Sequence, residues 1–321
     1  MRIGIDIGGT KTDAVVVDAA GGVAARIVIP TTRGEEGVVE TALRAVRALE
    51  GELGARTGGG AAGAQAGAGA GVGTTIGIGI PGIVDPARGV VEHAFNLGVR
   101  DLSLGRRVAE ATGAVVRLEN DVKAAALGAA LLNGAAGSVA YLNLGTGLGC
   151  AVVRDGVVER GAQGIAGEIG HVPVDPNGIR CPCGMRGCLE TIASGSGILR
   201  MRPSDAELPA VDLFDAADDD DADALAVRAR FVDGVAQCIR LVVLSADPER
   251  IVIGGGLRHL GDRLMDEVRR VVDRWGEVSS FLGAARLAER VALLPADTAA
   301  PALGAALVGD PAPLRPVALA S

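Results

Sequence analysis

"IGIDIGGTKTDAVVVD" (Ile3–Asp18) aligns without a gap on "AYLNLGTGLGCAVVRD" (Ala140–Asp155). Gly8 falls on Gly145, Ala14–Val16 on Ala151–Val153, and Asp18 on Asp155. Each copy reads as strand, glycine turn, strand. Similarity at a fixed offset marks a duplication. Two copies predict two similar lobes rather than a solenoid, with the hairpins facing each other across a cleft. Glycine turns let backbone N–H groups approach a phosphate, because no Cβ intrudes and unusual φ values are open. Two unrelated tight hairpins are the plain alternative. A matched pair of this length favours the phosphate reading.

The rest of the chain supplies elements around the two copies. A third strand is expected at Val23–Ile29 and a helix at Glu35–Leu53. Residues 57–73 are nearly all Gly and Ala without periodicity, which reads as a flexible surface loop before a strand at Thr75–Ile80. Val115–Leu118 reads as a strand and Asp121–Leu132 as a helix. The acidic stretch Asp205–Asp223 invites a metal, but like charges stay hydrated, so a solvated helix-connecting segment is expected there. A long amphipathic helix at Ala224–Ser245 follows, then a strand at Ile251–Ile253, the Gly254–Gly256 turn, a helix to about Trp275 and a last helix at Pro301–Val308.

Composition narrows the class. At 321 residues, with 49% apolar and 22% charged side chains, the chain can bury a substantial core. Aromatics are only 2%, so Ala, Val, Leu and Ile must build it. The net charge of −8 disfavours a nucleic-acid or anionic-membrane binder. The opening residues are charged and then strand-like, and no apolar run is long enough to span a bilayer. A cytoplasmic protein is expected, where clustered cysteines bind metal more often than they pair.

Side chains at the turns suit phosphoryl transfer. Around Gly8 and Gly9, Asp6 suits Mg²⁺, Thr10 can donate to a phosphate oxygen, and Lys11 can offset phosphate charge. Lys11 and Lys123 are the only lysines. Gly145, Thr146 and Gly147 form the second turn. Neither turn is a Walker loop or a dinucleotide fingerprint. In "LENDVKAAALG" (Leu118–Gly128), Asp121 stands where a strand ends and a helix begins. A carboxylate there can take a hydroxyl proton as the oxygen attacks phosphorus. Asn120 can donate to and accept from sugar hydroxyls. A bare Asn-Asp pair can equally be a helix cap.

Three of the five cysteines and one of the three histidines lie in "GHVPVDPNGIRCPCGMRGCLE" (Gly170–Glu190). His171, Cys181, Cys183 and Cys188 fit a tetrahedral Cys₃His zinc site, filled by protein and therefore structural. Glu168 and Glu190 flank it. A pinned loop would hold both carboxylates against vicinal hydroxyls, and His171 could bind metal with one nitrogen and present the other to a ligand. Without a matching site elsewhere, they would be two exposed charges. Cys150 and Cys238 read as core residues.

The stretch "GAQGIAGEIGHVPVDPNGIRCPCGMRGCLE" (Gly161–Glu190) resembles the signature of the ROK family, named for repressors, open reading frames and sugar kinases. "DIGGTK", "GIGIPGIVD", "ENDVKAAALG", "LNLGTGLG" and "IVIGGGL" follow in the family's order. The resemblance implies an α/β, two-lobed actin/hexokinase-like fold, a duplicated ribonuclease H-like unit with a central cleft. Residues 1–118 with about 299–321 would form the small lobe and 119–298 the large lobe carrying the zinc loop. It implies an ATP-dependent hexose kinase acting on the 6-hydroxyl of glucose. An N-acetylhexosamine or other aminosugar kinase and a non-catalytic sugar-binding regulator are the alternatives. By resemblance Asp121 is the general base, and Asn96, Asn120, Asp121, Glu168, His171 and Glu190 contact the hexose. Asp6, Gly8, Gly9, Thr10, Lys11, Gly145, Thr146 and Gly147 serve ATP and Mg²⁺, with Gly254, Gly255 and Gly256 against the nucleoside. A structural Zn²⁺ and a homodimer complete the expectation. Repressors of the family carry a DNA-binding helix-turn-helix before the first hairpin; here that hairpin starts at Arg2, so no nucleic-acid partner is expected. Asn96 and Leu97 keep the start of a glucokinase motif whose Trp is missing here.

Overall fold

The computed structural model describes residues 1–56, 73–134, 137–295 and 297–309. The Gly/Ala loop expected at 57–73 lies outside them except for Gly73, as do residues 310–321 of the expected small lobe. Contacts divide the chain into two units. One holds Met1–Gly137, Val153–Ala166 and the segment from Ala299; the other holds Ser138–Val152 and Gly167–Thr298.

In the first unit, β1 (Arg2–Ile7) and β2 (Lys11–Val17) form the first copy of the repeat, antiparallel with Ile3 opposite Val16 and Asp6 opposite Asp13. β3 (Val23–Pro30) extends the meander. α1 (Glu35–Arg56) crosses over to β4 (Thr75–Ile80), which lies parallel to β1. A small antiparallel sheet of β5 (Ile83–Asp85), β6 (Val90–Glu92) and β7 (Asp101–Leu102) was not expected from the sequence. α2 (Leu104–Thr112) leads to β8 (Val115–Asn120), parallel to β4, and α3 (Asp121–Leu132) follows without a loop. The main sheet has the order β3-β2-β1-β4-β8.

The second copy starts the other sheet. β9 (Ser138–Leu144) and β10 (Leu148–Arg154) run on to β11 (Val157–Val158), where the chain is back in the first unit. α4 (Gly195–Met201), α5 (Pro209–Asp218) and α6 (Ala222–Ala246) precede β12 (Arg250–Gly254). α7 (Asp262–Val278), α8 (Ser280–Ala285) and β13 (Val291–Leu293) follow, and α9 (Ala300–Gly309) closes the described chain in the first unit. The order β11-β10-β9-β12-β13 repeats the first sheet strand for strand, with β9, β12 and β13 parallel as β1, β4 and β8 are. The duplication read from sequence is thus present in topology.

Alternation decides what each face of the first sheet meets. Ile3, Ile5, Ile7, Ile76, Ile78 and Ile80 are fully buried in one apolar cluster with residues of α1. The opposite positions are Gly4, Asp6, Gly77 and Gly79, with Gly4 beside Gly77 and Asp6 beside Gly79. That glycine face lets α9 lie on the strand backbones: a methyl group at Gly77 would fall 1.7 Å from the Ala305 carbonyl oxygen. α3 and α9 meet as closely, since a methyl at Gly128 would fall 1.8 Å from the Ala300 oxygen. This contact keeps α3, expected beyond residue 118, in the first unit. The second unit has its own core, including Leu142, Phe214, Phe231, Ile253, Leu264, Cys150 and Cys238.

The acidic stretch departs from expectation. Residues 209–218 are helical as α5, and Arg263 pairs with Asp215 and Asp218 at 2.8 and 2.7 Å. Arginines distant in sequence neutralise part of the run that the sequence presents as unrelieved charge. Asp221 caps α6 by accepting the Ala224 N–H at 2.7 Å. Among the described residues no helix is long and apolar enough to cross a membrane.

Candidate active site

The first unit gathers its chemistry at the end of the glycine face. A Cβ at Gly79 would lie 3.6 Å from Asp6 Oδ1 and 3.7 Å from Asp121 Cα, so the two carboxylate residues flank one glycine. Asp6 reaches this place because the β1 alternation turns it away from the isoleucine face. Burial, and then the negative charges of Asp121 and Asp13, push the Asp6 carboxyl up to about 8; Lys11 pulls it partly back. Asp121 is half-buried and opens α3. Asn120 is the cap of that helix. Its Oδ1 accepts the N–H groups of Val122 and Lys123 at 3.0 and 3.2 Å, and its Nδ2 donates to the Gly82 oxygen at 3.2 Å. The capping role therefore holds for Asn120, and one Nδ2 hydrogen remains for another acceptor.

Behind this junction lies a pair that the sequence did not mark. Glu119 is 2% exposed, and its Oε2 accepts from Arg160 Nε at 2.7 Å. Its Oε1 accepts the Asn120 N–H at 3.1 Å, which ties the pair to the junction. The first glycine turn is closed by the Gly8 N–H donating to the Lys11 oxygen at 3.0 Å. Thr10 and Lys11 are exposed beside it. Asn96, on a 3-10 turn over Phe95–Leu97, has its Nδ2 3.6 Å from where a Gly9 Cβ would stand.

The second unit holds the other turns. Gly145 N–H donates to the Gly147 oxygen at 3.1 Å. The Gly254–Gly256 turn packs directly on this region, since a Cβ at Gly255 would fall 2.3 Å from the Leu144 oxygen and 2.8 Å from Asn143 Oδ1. Gly255 has φ +83°, a conformation that L side chains rarely adopt. Asn143, between the two turns, was not singled out by its sequence.

The four predicted metal ligands converge, with one donor atom from each of His171, Cys181, Cys183 and Cys188 all within 4.8 Å of one another. Cys181 Sγ lies 3.7 Å from His171 Nδ1, and Cys183 Sγ lies 3.7 Å from Cys188 Sγ. A tetrahedron with Zn–S bonds of about 2.3 Å has S–S edges of about 3.8 Å, so the donor set fits zinc. His171 turns Nδ1 toward the sulfurs and leaves Nε2 for another partner. The knuckle is shaped by the Cys181 N–H donating to Met185 and the Gly187 N–H to Ile179, at 2.8 and 2.9 Å. Glu168 is exposed just before it. Glu190 lies just after it, and its Oε2 accepts the Leu148 N–H at 3.0 Å.

The ROK family profile matches residues 2–309. A glucokinase of Halalkalibacterium halodurans is 33% identical over 288 residues, 84% of each chain. A ROK hexokinase of Thermus thermophilus has a TM-score of 0.74 and 33% identity, covering 96% of this chain and 97% of its own. A ROK family glucokinase of Streptomyces griseus, solved with glucose and AMPPNP, has a TM-score of 0.73 and 28% identity, covering 96% of this chain and 98% of its own.

Proposed function

The chain belongs to the ROK family, and on that premise we propose that it is an ATP-dependent kinase that phosphorylates the 6-hydroxyl of glucose. The observation that carries the reading is the Asp6–Asp121 pair at a strand-to-helix junction, in a chain that also keeps two glycine turns. A sensor of sugar alone has no use for both. Asp121 is the base that accepts the hydroxyl proton. Asn96, Asn120, Glu168, His171 and Glu190 serve the hexose. Gly8, Gly9, Thr10, Lys11, Gly145, Thr146 and Gly147 serve the phosphates, and Gly254–Gly256 the nucleoside.

Mg²⁺ fits Asp6, because neighbouring carboxylates that hold a proton this high lose it readily to a cation. It would neutralise phosphate charge there. Zn²⁺ fits the Cys₃His knuckle as a structural ion. The same reading makes the protein a cytoplasmic homodimer, which light scattering on the purified chain checks for mass.

A panel of hexoses incubated with ATP and Mg²⁺ tests the activity. Glucose 6-phosphate should form, and no transfer to any hexose would sink the proposal. Asp121→Asn keeps the shape but removes the proton acceptor. It should lower turnover by roughly two to four orders of magnitude while sugar binding changes less. Near-normal turnover in the folded variant would remove Asp121 from the role of base.

A further inference from the structure

Glu190 touches the second glycine turn, not only the knuckle. Its Oε2 holds the N–H of Leu148, the residue that follows Gly147, at 3.0 Å. The same oxygen lies 3.0 Å from where a Gly147 Cβ would stand. The Gly170 backbone, next to His171, packs close against the Leu148 carbonyl: a Cβ at Gly170 would fall 2.5 Å from the Leu148 oxygen. Further along, Ser194 Oγ donates to the Glu190 carbonyl at 2.7 Å. The N–H groups of Gly195 and Ser196 donate to the carbonyls of Gly145 and Thr146, at 2.8 and 3.0 Å.

This lacing sets the direction of the turn's donors. In a trans peptide the C=O of one residue is antiparallel to the N–H of the next. Carbonyls of Gly145 and Thr146 held toward α4 therefore turn the N–H groups of Thr146 and Gly147 the opposite way. Neither N–H makes a backbone hydrogen bond among the described residues. They are the donors a phosphate would take.

We propose that Glu190 is a positioning residue for this phosphate-binding turn, and that the Cys₃His knuckle acts on nucleotide affinity through it. The proposal rests on reading Gly145–Gly147 as a phosphate site. It changes what the knuckle does. Cys188 lies two residues before Glu190, which holds the Leu148 N–H, and His171 follows Gly170, which packs on the Leu148 carbonyl, so order in the knuckle becomes order in the turn.

The test is ADP binding by calorimetry without sugar, paired with glucose binding without nucleotide. A hydrogen bond to an ionised acceptor contributes about 1.5–3 kcal/mol, or roughly tenfold and more. Glu190→Ala and Glu190→Asp should weaken ADP about tenfold, since aspartate is one methylene too short to reach Leu148. Glu190→Gln, whose amide oxygen still accepts but carries no charge, should weaken ADP less than Glu190→Ala and Glu190→Asp do. Cys183→Ser, with metal loss confirmed by elemental analysis, should weaken ADP in the direction of Glu190→Ala. Unchanged ADP affinity in Glu190→Asp, with only glucose affinity lost, would overturn the proposal. If Glu190→Ala does not fold, the Asp and Gln pair decides alone. Gly145→Val separates the two layers. If it abolishes ADP binding while Glu190→Asp does not change it, the turn is a phosphate site and only the brace is wrong. If Gly145→Val leaves ADP untouched, the phosphate reading itself falls.

Discussion

Burial, and then the carboxylates around it, keep Asp6 protonated over much of the neutral range. Its carboxyl moves from the ordinary 3.8 up to about 8, first through burial and then through the charges of Asp121 and Asp13. The unfolded chain releases that proton above 3.8, whereas the folded chain keeps it until about 8. Stability from this group is therefore complete below 3.8, falls as pH rises through the window, and is gone above about 8. Asp6→Asn cannot ionise and should escape that fall. The melting temperature of the metal-free variant, relative to wild type, should rise from pH 5 to pH 8 and then level off. A pH-independent difference between the two would mean that Asp6 titrates normally.

Elements were legible where the period was long. β4 and α3 have the expected bounds, because six-residue alternation and a capped apolar helix are strong local signals. β5, β6 and β7 were not, because strands of two or three residues have too few positions to show a period. From sequence α5 reads as a connection, because its charges are answered by Arg228 and Arg263, ten and forty-five residues beyond Asp218. The same reason hid Glu190's grip on Leu148, which spans forty-two residues, and Glu119's on Arg160, which spans forty-one. Residue types marked the knuckle and the junction; partners across such separations are set by tertiary packing. The α3–α9 contact is one such case, and it fixes the helix that carries Asp121. Gly128→Val would drive a branched side chain into the Ala300 carbonyl, 1.8 Å from its first carbon. The helices must separate, at a cost of about 3 kcal/mol. Chemical denaturation of the first unit should show that loss, with turnover falling further than stability because α3 moves. A variant as stable as wild type would mean that the two helices slide freely.

Across the whole molecule, the duplication gives each unit its own glycine turn, but among the described residues only the second carries a Cys₃His knuckle. All four ligands and every group laced to them, from Leu148 to Ser196, belong to the second unit. The first unit closes its own turn from within itself, by Gly8 N–H on the Lys11 oxygen, Thr31 N–H on the Thr10 oxygen and Arg33 Nε on the Gly9 oxygen. Metal removal should therefore be felt on one side of the molecule. Zinc analysis should give about one ion per chain, as a single tetrahedral site requires. After chelation, amide exchange should quicken in the knuckle and then in Gly145–Leu148, because the loop loses its main cross-link and Glu190 its anchor. β1, β2 and α3 should keep their protection, since isoleucine packing and the α9 contact hold them. Sugar affinity should fall along with nucleotide affinity, because Glu168 and His171 loosen in the same event. Exchange that quickens equally in β1 and β10 would show that the ion supports the entire fold. Exchange confined to the knuckle, with Leu148 still protected, would make it a local staple with no hold on the turn.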